Sequence, residues 1–196
     1  MSYRHTMRTH LGIAPPDERW LSTMGTPLRD QLRDFARSPA EAEAMLETYR
    51  TFQRGVHDQV VKPFPGACEA LAELRSRGSR IAVVTSKHEA VAKRTLAVCD
   101  FESHVEALLC AEHVRHAKPD PEAVHLALAA LGLEGQAADV LVVGDSPFDL
   151  RAGRAAGTRT AAVCWGACAR ETLVGEGPDY VLERWDELLT LDPTRR

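Results

Sequence analysis

A chain of 196 residues, 44% hydrophobic and 27% charged, can bury one compact core plus a small accessory piece, but not two large domains. Its formal net charge of −4, with no cluster of Lys or Arg, offers no basic groove for nucleic acid. No apolar run approaches the roughly 20 residues that span a bilayer, and the polar opening MSYRHTMRTHLG does not resemble a secretory leader, so a cytoplasmic protein without a membrane partner is expected.

The first sixty residues read as helix only. SYRHTMRTHLG is expected to be a helix closed by Gly12, and TPLRDQLRDFA a shorter amphipathic one. Between them, APPDERW reads as loop and carries the first Asp of the chain, Asp17. In SPAEAEAMLETYRTFQRGVH, Ser38 is a cap, Pro39 the first helical residue and Glu41 the partner of a capping box. Ala42, Met45, Tyr49, Phe52 and Val56 then recur at helical spacing. VVKPFPG punctuates the chain, so residues 1–60 are expected to form a helical unit and 61–196 a second unit.

That second unit alternates. ACEALAELRSRG is a helix with Leu71 and Leu74 inward and Gly78 as its stop. RIAVVTS is a strand and KHEAVAKRTLAVC a helix; SHVEALLC is a weaker strand and PEAVHLALAALGL a helix. DVLVVGD, PFDLRAGRAAG and TRTAAVCW follow as strand, helix and strand, and YVLE with WDELLTL closes the chain. Strands and helices in this alternation predict an α/β fold with a parallel sheet covered on both faces. Such a sheet binds ligands beyond the carboxyl ends of its strands.

Three strand ends carry chemistry. In IAVVTSKHEA, Thr85 ends a strand, and Ser86 with Glu89 is expected to cap the next helix; a hydroxyl beside free helix-start N–H groups suits a phosphate. In HAKPDPEA, Asp120 and Pro121 are helix-start residues. Lys118 has no such role, and its place before Pro119 aims its ammonium toward the strand ends. In LVVGDSPFDLRAG, Ser146 and Asp149 form a capping box, which leaves Asp145 without a structural partner. A divalent cation is the economical one, and Mg²⁺ prefers a few carboxylates, waters and a substrate phosphate. Each signal is modest alone; in the order Thr, Lys, Asp-x-x-x-Asp they supply a phosphate seat, a positive charge and a metal, as phosphoryl transfer requires.

With those residues in view, the chain resembles the haloacid dehalogenase superfamily, in particular its phosphoglycolate-phosphatase-like hydrolases. VVTSK, AKPDP and VVGDSPFDLRAGRAAG are similar to that family's second, third and fourth motifs, and WGACARETLVGEGPDYVLERWDEL to its C-terminal pattern. The resemblance implies a Rossmann-like core with a small helical cap, and Mg²⁺-dependent hydrolysis of a small phosphorylated metabolite. It also implies roles: Thr85 and Ser86 at the phosphate, Lys118 neutralising its charge and orienting the nucleophile. Asp145 would ligate Mg²⁺ directly and Asp149 through water or Lys118. Met24 to Gln31, MGTPLRDQ, would be the substrate-facing loop of the cap.

The family's first motif, a strand ending in Asp-x-Asp, has no counterpart before Val60. Its first Asp is the nucleophile that forms an aspartyl-phosphate and its second the general acid and base. In the family that strand lies between those ending here in Thr85 and Asp145. Three explanations compete: a shortened reading of a longer gene, a short form that binds phosphate and Mg²⁺ without turnover, or a strand donated by another chain.

Two other folds use some of the same residue types. A metal-free dehalogenase has little use for both Asp145 and Asp149. A phospho-acceptor receiver domain places its acids before the Thr and Lys, the reverse of this order. His113 and His116, three apart on an expected loop, lack a third metal ligand, with His116 near the pocket mouth. The cysteines Cys68, Cys99, Cys110, Cys164 and Cys168 read as small buried hydrophobes, and Trp165 and Trp185 as packing residues.

Overall fold

The computed structural model describes residues 1–191; residues 192–196, the tail of the expected second unit, lie outside the described residues. Four helices come first: α1 (Ser2–Leu11), α2 (Asp17–Leu21), α3 (Leu28–Arg33) and α4 (Pro39–Val60). α1 stops where expected, at Gly12, whose left-handed backbone (φ 77) turns its N–H onto the Arg8 carbonyl. These helices bury one apolar cluster of Tyr3, Met7, Trp20, Leu32, Phe35, Met45 and Leu46. Tyr3 stacks on Trp20 with ring centroids 4.7 Å apart.

Two local expectations change here. APPDERW is not all loop, since Asp17 begins α2 and binds the Arg4 guanidinium, which ties α2 back to α1. At α4, the Ser38 hydroxyl accepts from Glu41 N at 3.1 Å, but the Glu41 carboxylate takes the Arg37 N–H and guanidinium rather than closing the box on Ser38. A neighbouring cation outcompetes a backbone N–H for an exposed carboxylate.

From residue 67 on, strands and helices alternate. In order come α5 (Ala67–Ser76), β1 (Ala82–Val84), α6 (Glu89–Val98), β2 (Ala107–Leu109), α7 (Glu122–Ala130), β3 (Leu141–Gly144) and α8 (Pro147–Ala155). β4 (Arg159–Val163), α9 (Arg170–Val174), β5 (Tyr180–Leu182) and α10 (Trp185–Leu188) complete the chain. Every strand pair is parallel. Trp165 and Trp185 pack together at 4.9 Å beside Ala161, Val163, Leu182 and Leu188, as packing residues should.

The strands do not form one sheet. β1 pairs with β2, and β3, β4 and β5 pair in that order, giving two parallel sheets on a shared layer of helices. α7 spans them, packing on β1, β2 and α8, while α8 packs on β3 and β4. The free edge of β1 faces the β3 side, because the Lys118 ammonium sits 3.5 Å from Val84 O and 2.5 Å from Asp149, just beyond β3. Ile81 O and Thr85 N are engaged by β2, and Val140 O by β4. Alternate residues of a parallel strand point their backbone groups to opposite sides. Ala82 and Val84 on one edge, and Leu141 and Val143 on the other, therefore direct theirs into the gap. Burial follows the same division. β4, flanked on both sides, is buried from Thr160 to Val163, whereas Val143, equally apolar, is 38% exposed.

Candidate active site at the strand ends

Two of the expected site residues, Lys118 and Asp149, form one hydrogen-bonded chain with the helix cap Ser146. The Lys118 ammonium donates to Asp149 Oδ1 at 2.5 Å, and the Ser146 hydroxyl donates to Asp149 Oδ2 at 2.6 Å. Lys118 and Asp149 are 9% and 15% exposed, so this ion pair is held largely out of water. Local sequence sets it up. Ser146 is the N-cap of α8, with Pro147 at the first position, and its side chain accepts from Asp149 N. The Asp149 carboxylate takes the Ser146 hydroxyl and not its N–H, so the expected capping box is made on one side only. Lys118, joined to Pro119 by a cis peptide bond, reaches the strand ends as expected.

Asp145 turns the other way. Its Oδ2 accepts from Ala167 N at 3.1 Å, in the WGAC loop after β4. That loop approaches so closely that a Cβ on Gly166 would lie 2.1 Å from Asp145 Cβ. Glycine at 166 is what lets the loop wrap this carboxylate. Among the described residues Asp145 Oδ1 has no hydrogen-bond partner, whereas both oxygens of Asp149 are engaged. For Mg²⁺ this donor set fits: one carboxylate oxygen open for direct contact, and a second carboxylate tied to Lys118.

Thr85 stands at the end of β1 as expected, whereas Ser86 departs from its expected role as a cap. The Thr85 hydroxyl accepts from Lys87 N at 3.2 Å, and its own proton has no acceptor among the described residues. Ser86 does not cap α6. The N-cap is His88, and the Glu112 carboxylate, 23 residues away, takes the Glu89 N–H and the His88 ring. The Ser86 hydroxyl instead donates to Gly25 O at 2.7 Å, across to the loop between α2 and α3. The expected substrate-facing segment Met24 to Gln31 thus meets the core at Gly25.

Lys87 and the WGAC backbone were not among the expected site residues, and Cys168 was expected only as a small buried hydrophobe. Lys87 keeps its surface open to solvent, yet crowding by the surrounding atoms pushes its ammonium down, opposed by the nearby Asp145 carboxylate. Burial pushes the Cys168 thiol up, and Asp145 and Asp149 add to the shift. A lysine directly after a strand-end Thr-Ser, and a Gly in the loop after the last long strand, were the available signals. His113 and His116 do not meet. His113 Nδ1 accepts from Cys110 N, while His116 stands at the surface with Asp120 and Glu122, their ligand atoms within 4.8 Å of one another. The Glu122 carboxylate is occupied there by the Arg115 and His116 N–H groups. No helix among the described residues is long and apolar enough to cross a membrane.

Comparison with known proteins shows the family and the fold. The Pyrophosphatase PpaX of Anoxybacillus flavithermus is 33% identical over 190 residues, covering 97% of this chain and 86% of its own. Among solved structures, a predicted phosphoglycolate phosphatase from Haemophilus somnus superposes with a TM-score of 0.85 at 18% identity, covering 96% of this chain and 87% of that one. A hydrolase from Pseudomonas syringae does so with a TM-score of 0.84 at 20% identity, covering 100% and 90%. The description "Haloacid dehalogenase-like hydrolase" matches residues 1–163. The chain belongs to the haloacid dehalogenase-like hydrolase family.

Proposed function

We propose that this chain is the body of a Mg²⁺-dependent phosphatase acting on a small phosphorylated metabolite, with residues 1–60 as cap and 61–196 as core. The observation that carries the reading is the buried Lys118–Asp149–Ser146 chain at the ends of β1 and β3, with Asp145 held beside it by the WGAC loop. Thr85 would donate its free hydroxyl to the phosphoryl group, and Lys118 would offset its charge while fixed by Asp149. Mg²⁺, held by Asp145 and supported by Asp149, would screen the phosphoryl oxygens from an incoming anion. Inorganic pyrophosphate and phosphoglycolate, the ligands implied by the relatives' names, both suit such a site.

In this reading the nucleophile would stand in the gap between β1 and β3. An extended apolar strand there would pair with Ala82 and Val84 on one side and Leu141 and Val143 on the other, and would end level with Thr85 and Asp145. A carboxylate at its end would attack phosphorus to form an aspartyl-phosphate as the leaving oxygen departs, and a second acid would protonate that oxygen. Of the carboxylates at these strand ends, this reading gives Asp145 to Mg²⁺, while Asp149 is engaged by Lys118 and Ser146. The test adds a strand of about five apolar residues, a usual strand length, ending in Asp-x-Asp ahead of α1. Orthophosphate release from pyrophosphate or phosphoglycolate should then need Mg²⁺ and be abolished by Lys118→Ala or Asp145→Ala. Robust turnover in either variant would sink the assignment. Phosphate binding without hydrolysis after extension would favour a regulatory module that binds phosphate and Mg²⁺ but does not turn over.

A further inference from the structure

Cys68 and Cys99 stand 31 residues apart in the chain and meet in the fold. Cys68 is the second residue of α5, and its thiol donates to the Cys99 carbonyl at 3.7 Å. Cys99 caps the end of α6, and the turn Glu102–His104 just after it packs on both α5 and α6. A carbonyl oxygen lies about 2.4 Å from its own Cα, so the Cys68 sulfur is within about 6 Å of Cys99 Cα. That is a gap side-chain rotation can close. The two thiols differ in access. Cys68, expected to be buried, is partly exposed and is the one a reagent in solution meets first, whereas Cys99 is 5% exposed. Burial pushes the Cys99 thiol up, and the nearby Lys87 ammonium, which favours a thiolate, opposes that.

We propose that Cys68 and Cys99 form a redox modification site, at which a low-molecular-weight disulfide converts the two thiols into an intramolecular disulfide tying the start of α5 to the end of α6. The Cys68 thiolate attacks one sulfur of the reagent, whose S–S bond breaks, and the first reagent thiolate leaves. The Cys99 sulfur then attacks the Cys68 sulfur of the mixed disulfide and displaces the second. Two electrons pass from the cysteines to the reagent, which ends as two thiols carrying the two protons the cysteines gave up. The closed segment contains β1 and Thr85, so the modification staples the stretch that borders the gap. In a reducing compartment the pair stays open. The site uses neither Lys118 nor Asp145 and does not rest on the phosphatase reading.

Treatment of the folded 196-residue chain with oxidised glutathione is the test. Two of the five thiols should disappear, and peptide mapping should recover Cys68 joined to Cys99. The cross-linked chain should melt about 7–14 °C higher, as a closed loop of this length in a chain of this size predicts, and dithiothreitol should reverse both changes. Cys99→Ser should stop at glutathione on Cys68 without the rise in Tm; Cys99→Ala, which suits the buried position, should do the same. Cys164→Ser is the control and should still form the cross-link. Five thiols left intact, glutathione accumulating on Cys68 of the wild type, or a cross-link that omits either cysteine would overturn the proposal. So would an unchanged Tm in the cross-linked chain, or a rise that survives in both Cys99 variants.

Discussion

Replacing Lys118 by Met removes one charge from a pair that is 2.5 Å apart and 9% and 15% exposed. The Asp149 carboxylate would be left with only the Ser146 hydroxyl and its place near the start of α8. Breaking a buried pair in this way costs about 3–5 kcal/mol, and the remaining Ser146 bond places the expected loss near the lower end, about 3 kcal/mol. For a chain of this length each kcal/mol moves Tm by roughly 2–4 °C, so a fall of about 6–12 °C should appear in calorimetry. The double variant Lys118→Met/Asp149→Asn should recover much of that loss, since no unpaired charge remains. The cycle, completed by Asp149→Asn alone and read by urea unfolding, should give a coupling of about 2 kcal/mol. Additivity within about 0.5 kcal/mol would refute the reasoning, because the two side chains would then not be sharing a buried interaction.

Other expectations follow from the same structure. Gly166→Ala would drive a Cβ to 2.1 Å from Asp145 Cβ, so it should weaken Mg²⁺-dependent orthophosphate binding about tenfold, as loss of support for a metal ligand does; unchanged affinity in a titration would show that Asp145 does not need the WGAC loop. Asp58 at the end of α4 is held at about 2 by the Arg94 guanidinium on α6 and by His57. An unfolded Asp titrates near ~3.9, so this stabilisation is complete above that pH and lost as pH falls through about 2. The stability gap between wild type and Asp58→Asn should narrow on acidification across that window, and a constant gap would contradict the pairing. Trp20→Ala should cost about 3–5 kcal/mol, the ring being 8% exposed and stacked on Tyr3; a loss below about 1 kcal/mol in urea unfolding would place the ring outside the core.

What could be read from the sequence was what local chemistry decides. Ser146-Pro147 starts α8 and Gly12 ends α1 because a cap hydroxyl, a fixed proline φ and a left-handed glycine act within a few residues. The three strand ends were legible because polar residues that follow apolar strands have few other jobs, and Lys118 and Asp149 do meet there. What escaped depends on partners distant in sequence. Ser86 looked like a cap, yet Glu112 does that work and frees Ser86 to bind Gly25, 61 residues away. Asp17 looked like loop until Arg4 anchored it as the start of α2. The helix α9 and the turn of WGAC onto Asp145 are tertiary contacts with no periodicity to announce them.

The central claim is that the strand-end cluster holds a phosphoryl group together with Mg²⁺. Its most direct test is a ³¹P NMR titration of orthophosphate against the 196-residue chain, with and without Mg²⁺. The account predicts binding that requires Mg²⁺ and disappears in both Lys118→Ala and Asp145→Ala. Binding that ignores Mg²⁺, or that survives either substitution, would contradict it.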